Sequence, residues 1–325
     1  MTRVYRGLRE VPEDFGPAIA AVGNFDGVHL GHQEILHAVV AEAWERGMSA
    51  AAITFDPHPE RFLRPQVAPR LLTTMEHRIE LLAATGVDAI VILRFDDRLA
   101  RLSAREFVDW VLTDALNVAG MHEGGNFHFG YRAAAGVREL TELGVEYGFG
   151  VTAHQAVKVH RLEVSSSTVR RLVAEGDVKR ARWMLGRAFE VRSTPKRDRG
   201  IGSKLLVPTV NLAAYDGLLP AFGIYVTRLT VGDRCFQAVT SLGNRPTFED
   251  AGFSVETHIL DFEPVDMNEE TPLKLEFLMR LRPEAKFDSI DALREQIFND
   301  IARAKKFFAR ASGSSRREAP STSGA

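Results

Sequence analysis

Ala21-Val22-Gly23-Asn24-Phe25-Asp26-Gly27-Val28-His29-Leu30-Gly31-His32-Gln33 is the stretch whose reading decides the fold. The apolar run Ile19–Val22 ahead of it predicts a buried strand. Gly23 and Gly27 then suit a turn that needs positive φ or close backbone approach. From Gln33 to about Arg46 the apolar residues Ile35, Leu36, Val39, Val40 and Ala43 recur at helical spacing. His29 and His32 therefore fall at a helix N-terminus, where free N–H groups and the helix dipole favour an anion. Imidazole donors add to that preference, and the combination suits a nucleotide phosphate. The bland alternative is a capping turn with incidental histidines. A zinc site is the other alternative, but the His spacing is three and no glutamate follows the first His, unlike the metalloprotease helix motif.

Outward from this turn, strands and helices alternate. Strands are predicted at Ser49–Phe55, Val87–Leu93, Ala119–His122, Phe149–Ala153 and Val157–Leu162. Helices are predicted at Thr74–Ala84, Ser103–Leu112 and Gly136–Tyr147. Ser103 and Glu106 have capping-box spacing. Asp56-Pro57-His58-Pro59 ends the second strand, because proline cannot continue the ladder. Ser165-Ser166-Ser167 caps a helix through Val169, Leu172 and Val173, and Asp177–Leu185 is one more helix. Such alternation predicts a parallel sheet with crossover helices. After Gly186 the pattern changes to strands at Val191–Ser193, Ile224–Val231, Cys235–Ser241, Ser254–Leu260 and Leu273–Leu281, then a helix at Ser289–Ala309. The expected architecture is an α/β Rossmann-like domain over 1–186, a small β-barrel with a terminal helix over 187–310, and a disordered tail over 311–325.

Composition narrows the class. The chain has 325 residues, 45% hydrophobic and 26% charged, with a net charge of -2. That balance gives no global attraction to nucleic acid or to an anionic membrane. The single cysteine, Cys235, excludes an internal disulfide and is expected as a small core residue. Thr2 to Pro17 is polar, without the apolar centre of a secretory signal, and no apolar run approaches the ~20 residues of a membrane span. A cytoplasmic monomer or weak homo-oligomer acting on small molecules is expected.

Two further constellations carry chemistry. In Ser165-Ser166-Ser167-Thr168-Val169-Arg170 the hydroxyls can cap a helix and donate to phosphate oxygens. Arg170, one turn in, adds a forked and permanent positive charge. In the second domain, Arg199-Gly200-Ile201-Gly202-Ser203-Lys204-Leu205-Leu206-Val207-Pro208-Thr209-Val210-Asn211 is a glycine-containing loop entering a Pro-Thr-x-Asn step. Backbone amides near Gly202 can cradle phosphate, and a Thr hydroxyl with an Asn carbonyl offers hard oxygen ligands for magnesium. An ordinary hairpin turn is the alternative there, as a surface glutamate is for Glu256.

Together these residues resemble the HxGH nucleotidyltransferases. Gly23–His32, Thr54–Pro59 and Gly125–Gly130 resemble more closely the FAD synthetase module of bacterial bifunctional riboflavin kinase/FMN adenylyltransferases. The resemblance implies that FMN phosphate attacks the α-phosphorus of ATP with release of pyrophosphate. It implies that Gly23, Phe25 and Asp26 belong to the nucleotide-binding turn, and that His29 and His32 contact the ATP phosphates. Ser166, Ser167 and Arg170 would hold the β/γ end, and Asn126 would sit near phosphates and flavin. Arg199–Leu212, Leu242–Phe248, Val255–Phe262 and Leu281–Phe287 resemble the riboflavin kinase module. There Glu256 stands as general base for the ribityl hydroxyl, and Thr209 and Asn211 would hold Mg²⁺ brought with ATP. The kinase loop departs from the usual G-R-x-L-G-F-P-T-A-N at Ser203, Leu206, Val207 and Val210. The expected function is therefore riboflavin to FMN to FAD, each step using ATP. The alternatives are an FAD synthetase with a flavin-docking, degenerate kinase domain, another adenylyltransferase, or a non-catalytic flavin or nucleotide sensor.

Overall fold

A computed structural model describes residues 1–196, 209–244, 253–261 and 267–315. They fall into two compact units, Met1–Thr168 and Val169–Ala325. This division lies ahead of Gly186, where the sequence pattern changes. Among the described residues no helix is long and apolar enough to cross a membrane.

The first unit runs β1 (Arg3–Tyr5), β2 (Ala18–Val22), α1 (Leu30–Arg46), β3 (Ser49–Asp56), α2 (Pro59–Leu63), α3 (Met75–Ala83), β4 (Ala89–Arg94), α4 (Asp97–Arg101), α5 (Ala104–Phe107) and β5 (Val118–Gly124). It continues with the short strands β6 (His128–Phe129) and β7 (Ala135–Gly136), then α6 (Val137–Tyr147), β8 (Gly150–His154), β9 (Lys158–Val159), β10 (Leu162–Glu163) and α7 (Ser166–Ala174), which crosses the division. The main sheet has the order β1-β4-β3-β2-β5-β8 and every pair in it is parallel. Its central strands are apolar throughout because both faces are covered. Ala20, Val22, Ile53 and Val91 enter one core. Ile19, Ala21, Ile90 and Ile92 enter the other, with Leu36, Val39 and Ala43 of α1. The chain steps outward from β2 to β3 to β4, then returns to β5 on the far side of β2. The strand order therefore reverses between β2 and β5, the place where open parallel sheets hold ligands beyond their carboxyl ends.

Three local expectations change. The polar N-terminus contains β1, an edge strand parallel to β4. The helix expected over Ser103–Leu112 is α5, with both capping-box bonds formed, continued by a π-helical segment over Val108–Ala115. Val157–Leu162 is the β9–β10 hairpin rather than one strand, turned by His160 and Arg161 at φ 48° and 66°. Positive φ at both central residues matches the twist of a tight hairpin, though neither residue advertises it.

The second unit holds α8 (Val178–Leu185), β11 (Phe189–Ser193), β12 (Thr209–Asn211), β13 (Gly223–Val231), β14 (Arg234–Asn244), β15 (Phe253–Ile259), β16 (Leu273–Pro283) and α9 (Ile290–Ser315). Its sheet is antiparallel, in the order β11-β16-β13-β14-β15-β12. The two edges meet beyond β11 and β12. Lys196 N donates to Asn211 O at 2.8 Å and Ala213 N to Thr194 O at 2.8 Å. The sheet thus curls toward a small barrel, and Ala304 and Phe308 of α9 pack on Val226 and Leu278. Cys235 is exposed, not a core residue. It follows Arg234 just past the Gly232-Asp233 turn, where the hairpin tip extends beyond the barrel's cover.

Inside the sheet, Thr227, Thr240 and Thr257 are fully buried. Their hydroxyls form a chain, Thr227 Oγ1 to Thr240 Oγ1 at 2.8 Å and Thr240 Oγ1 to Thr257 Oγ1 at 2.9 Å. A hydroxyl both donates and accepts, so the middle one serves both neighbours. Thr240→Val strands two buried hydroxyls and is expected to destabilise this unit by about 2 kcal/mol, measured by urea unfolding. Thr240→Ser should recover most of the loss.

Candidate active sites

The turn after β2 is held from several directions. His29 is the N-cap of α1, as the sequence placed it at the helix N-terminus: its Nδ1 accepts from His32 N at 3.3 Å. Because Nδ1 accepts, a neutral ring carries its proton on Nε2, where it is a donor. The His29 and His32 rings stack with centroids 3.6 Å apart, and Phe25 meets His32 edge-on at 5.2 Å. This packing is tight against two glycines. A Cβ on Gly23 would lie 3.1 Å from the Phe25 ring, and one on Gly31 would lie 3.3 Å from the His29 ring. Phe25 and Val28 adopt φ 45° and 36°, a strained region for bulky residues that persists only where surrounding contacts enforce it.

Asp26 supplies those contacts. It is fully buried, and its carboxylate accepts from Leu72 N, Thr73 N and Thr73 Oγ1 at 3.0–3.1 Å. Arg78 of α3, also buried, approaches it at 3.7 Å. Asp26 thus braces the turn from beneath, rather than presenting its carboxylate to a ligand. Its backbone carbonyl accepts from Ser166 Oγ at 2.9 Å. Residues 140 positions apart are joined by that bond, and the N-termini of α1 and α7 converge at one point. Ser165 caps α7, with Thr168 N donating to its Oγ at 3.2 Å. Ser166 spends its proton on Asp26, while Ser167 is exposed. Arg170 lies one turn further along α7.

On the other face of the sheet the crevice widens into an apolar cleft of about 970 Å³. Gly23 and Asn24 form one side of its floor, and Asn126 and Phe127 another. Phe55 and Phe62 meet Phe95 edge-on at 5.8 and 5.7 Å, and Phe127 stacks on Phe129 at 5.4 Å. Flat aromatic walls of this kind suit a planar heteroaromatic ring. Asn126 is one of the residues the sequence singled out, whereas Phe62 of α2 and Phe95 just after β4 carry no local pattern. Glu123 of β5 was also missed. It is buried, accepts from Val22 N at 2.7 Å, and burial pushes its carboxyl well above the usual range.

In the second unit, strand register gathers the expected kinase residues. Asn211 of β12 lies opposite Glu256 of β15, and Thr209 opposite His258. Val210, Val255 and Thr257 point into the buried interior, so Thr209, Asn211, Glu256 and His258 share the other face. Ser254 Oγ donates to Glu256 Oε1 at 2.8 Å and fixes its carboxylate. Gly202 and the rest of Arg197–Pro208, Arg245–Gly252, and residues 262–266 lie outside the described residues, as does the segment 316–325. Among the described residues no group of three or more His, Cys, Asp or Glu is placed to hold a metal.

Comparison with known proteins agrees with both halves. Residues 11–168 match the FAD synthetase family and residues 185–308 the riboflavin kinase family. The bifunctional riboflavin kinase/FMN adenylyltransferase of Pseudomonas fluorescens is 34% identical over 93% of this chain and 97% of its own length. Relatives of the same description from Listeria monocytogenes and Escherichia coli K12 are 33% and 29% identical. They cover 90% and 95% of this chain, and 93% and 97% of their own lengths. A solved structure from Streptococcus pneumoniae, described as a macrolide-efflux protein, is 25% identical with a TM-score of 0.84, covering 94% of this chain and 98% of that one. Two ordered family regions and near full-length likeness together make this chain a member of the bifunctional riboflavin kinase/FMN adenylyltransferase family.

Proposed function

We propose that the chain converts riboflavin and ATP to FMN and ADP in residues 187–310, and FMN and ATP to FAD and pyrophosphate in residues 1–186. The observation that carries the second step is the Ser166–Asp26 hydrogen bond, which brings two helix N-termini to one point beside His29 and His32. Two dipole ends and their free amides form a seat for a polyphosphate. His29 Nε2–H and His32 donate to the phosphates of ATP, and Gly23 and Phe25 shape the turn beneath them. Ser167 and Arg170 hold the β/γ end, while Ser166 and Asp26 position the helices. The flavin ring enters the aromatic cleft, and Asn126 stands where cleft and phosphate seat join. An FMN phosphate oxygen then attacks the α-phosphorus, and the bond to pyrophosphate breaks in line with it. No protein nucleophile takes part. Positioning and charge stabilisation account for the rate.

In the kinase, Glu256 accepts the proton of the ribityl 5′-hydroxyl as that oxygen attacks the γ-phosphorus and ADP departs. The Ser254 hydroxyl keeps the carboxylate in one rotamer. Thr209 and Asn211 offer hydroxyl and carbonyl oxygens on the same face, a donor set that fits Mg²⁺ shared with nucleotide phosphates. Bound there with ATP, Mg²⁺ would neutralise phosphate charge. The amides around Gly202 belong to the same ATP site by their motif. These are reactions of free nucleotides, in keeping with a cytoplasmic monomer or weak homo-oligomer.

A chromatographic assay of riboflavin with Mg-ATP separates the two sites. His29→Ala should stop at FMN, with FAD formation lowered about 10²-fold or more. Glu256→Ala should make FAD from added FMN but not from riboflavin. Equal loss of both steps in both variants overturns the two-site assignment. Ser166→Ala, which frees α7 from Asp26, should lower kcat/KM for FAD formation about tenfold (~1.4 kcal/mol) and leave FMN formation from riboflavin intact.

A further inference from the structure

We infer that Glu123 is a positioning residue of the adenylyl-transfer site. Its carboxyl replaces a β5 backbone acceptor, holds the β2–β5 crevice open, and fixes the strand end that delivers Gly23 and Asn24. This rests on the adenylyltransferase reading of the first unit. The argument starts from the ladder. β2 pairs with β3 as far as Val22↔Ile53, but with β5 only from Ala18↔Val118 to Ala20↔Met121. The two strands separate at the point where the sheet order reverses. Val22 N–H donates instead to Glu123 Oε1 at 2.7 Å. A side chain reaches further than a backbone carbonyl, so it satisfies the amide while keeping the strands apart.

Glu123 is well placed for this. It shares the sheet face of Val22 and Met121, the face lined by the aromatic cleft. The next residues along each strand, Gly23 and Asn24 on one side and Asn126 on the other, line that cleft. Only 3% of Glu123 is exposed, and among the described residues the Val22 amide is the one hydrogen bond made to it.

Its charge state follows from its surroundings. Burial raises the carboxyl's pKa well above the usual range, and the Val22 amide draws it only part of the way back. The core on its own face of the sheet is apolar and includes Val22, Ile53 and Phe107. The adjacent His122 points to the opposite face, where it meets His154 at 2.9 Å and Glu42 of α1 at 2.8 Å, with Arg46 beyond. No cation compensates Glu123 among the groups that shift it. In its neutral form the carboxyl accepts from Val22 and keeps a donor of its own. Ionised, it places an unpaired negative charge beside the seat of two phosphorylated substrates.

The sign follows. An unfolded chain ionises this group near ~4.3, whereas burial in the native site raises it well above that. Glu123 therefore costs stability as pH rises above that value, until its raised native value is reached. As pH rises through the native value the carboxyl still accepts from Val22 but brings a negative charge beside the anion seat, so binding of the phosphorylated substrates weakens.

FAD formation from FMN and Mg-ATP, measured across pH with the full chain, tests this. Glu123→Leu removes the acceptor and should raise KM for ATP or FMN about tenfold, with FMN formation from riboflavin unchanged. Glu123→Gln keeps the acceptor and a donor without the titrating proton. It should stay within about twofold of wild type near neutrality, lose the alkaline fall in kcat/KM, and show a melting temperature that declines less with pH. Wild-type KM in Glu123→Leu, or an unchanged alkaline limb in Glu123→Gln, overturns the proposal. If wild type makes no FAD from FMN, the adenylyltransferase reading fails. Calorimetric ATP binding then decides the matter, and equal affinities for wild type and Glu123→Leu overturn the role of Glu123.

Discussion

Asp26 is tied through both of its acceptors. Its carboxylate takes the amides of Leu72 and Thr73 and the Thr73 hydroxyl, and its carbonyl takes the hydroxyl of Ser166. The first set anchors the turn to the loop that opens α3, which Thr74 caps. The second brings α7 to α1. With these ties, Phe25 and Val28 can be held at positive φ and the two histidine rings can stack over Gly31. Without them the relaxed backbone would drop both residues back to ordinary φ, and the helix ends would part. The geometry on which the proposed phosphate seat rests therefore depends on one buried acidic residue that need not touch phosphate.

This constraint explains what sequence reasoning reached and what it missed. Local chemistry was legible. The strand–glycine–helix order around Gly23–Gln33, the capping box of Ser103 and Glu106, and the antiparallel character of the second half all follow from spacing and turn residues. The pairing of Asn211 with Glu256 was approachable through the kinase-like motifs on β12 and β15. Long-range compensation was not legible. Arg78 lies in a helix beside the apolar residues Ile79 and Leu82, yet it is itself buried toward Asp26. Nothing within α3 signals a carboxylate 52 residues earlier in the chain. The cleft fails for the same reason: Phe62, Phe95 and Phe127 are separated in sequence and make a wall only once β4, β3, β2 and β5 are assembled into one sheet. The His160-Arg161 turn carries no glycine or asparagine, so its hairpin is visible only through its φ angles.

The two proposed sites offer different physical means for phosphoryl chemistry. The first assembles backbone amides and helix dipoles, which carry partial charge at fixed positions and need no titration. The second relies on side chains standing on adjacent antiparallel strands, where register alone places Thr209, Asn211 and Glu256 on one face. That difference follows from the nucleophiles. A phosphate monoester already carries its charge and needs only alignment, while a ribityl hydroxyl must lose a proton and needs a base. A strand carboxylate is suited to the second task and would repel the first.

The last point bears on Glu123, a carboxyl beside the site that handles two anions. Asp26 has three donors from Leu72 and Thr73 and an arginine nearby. Glu123 has one amide and an apolar core on its face of the sheet. Each phosphate brought near it disfavours its ionisation further, so substrate binding and proton retention reinforce each other. By linkage the reinforcement is mutual: a protonated Glu123 favours the anions as much as the anions favour its proton. A neutral buried acid at the strand end is thus compatible with an anion seat in a way that the same residue, exposed and ionised, would not be.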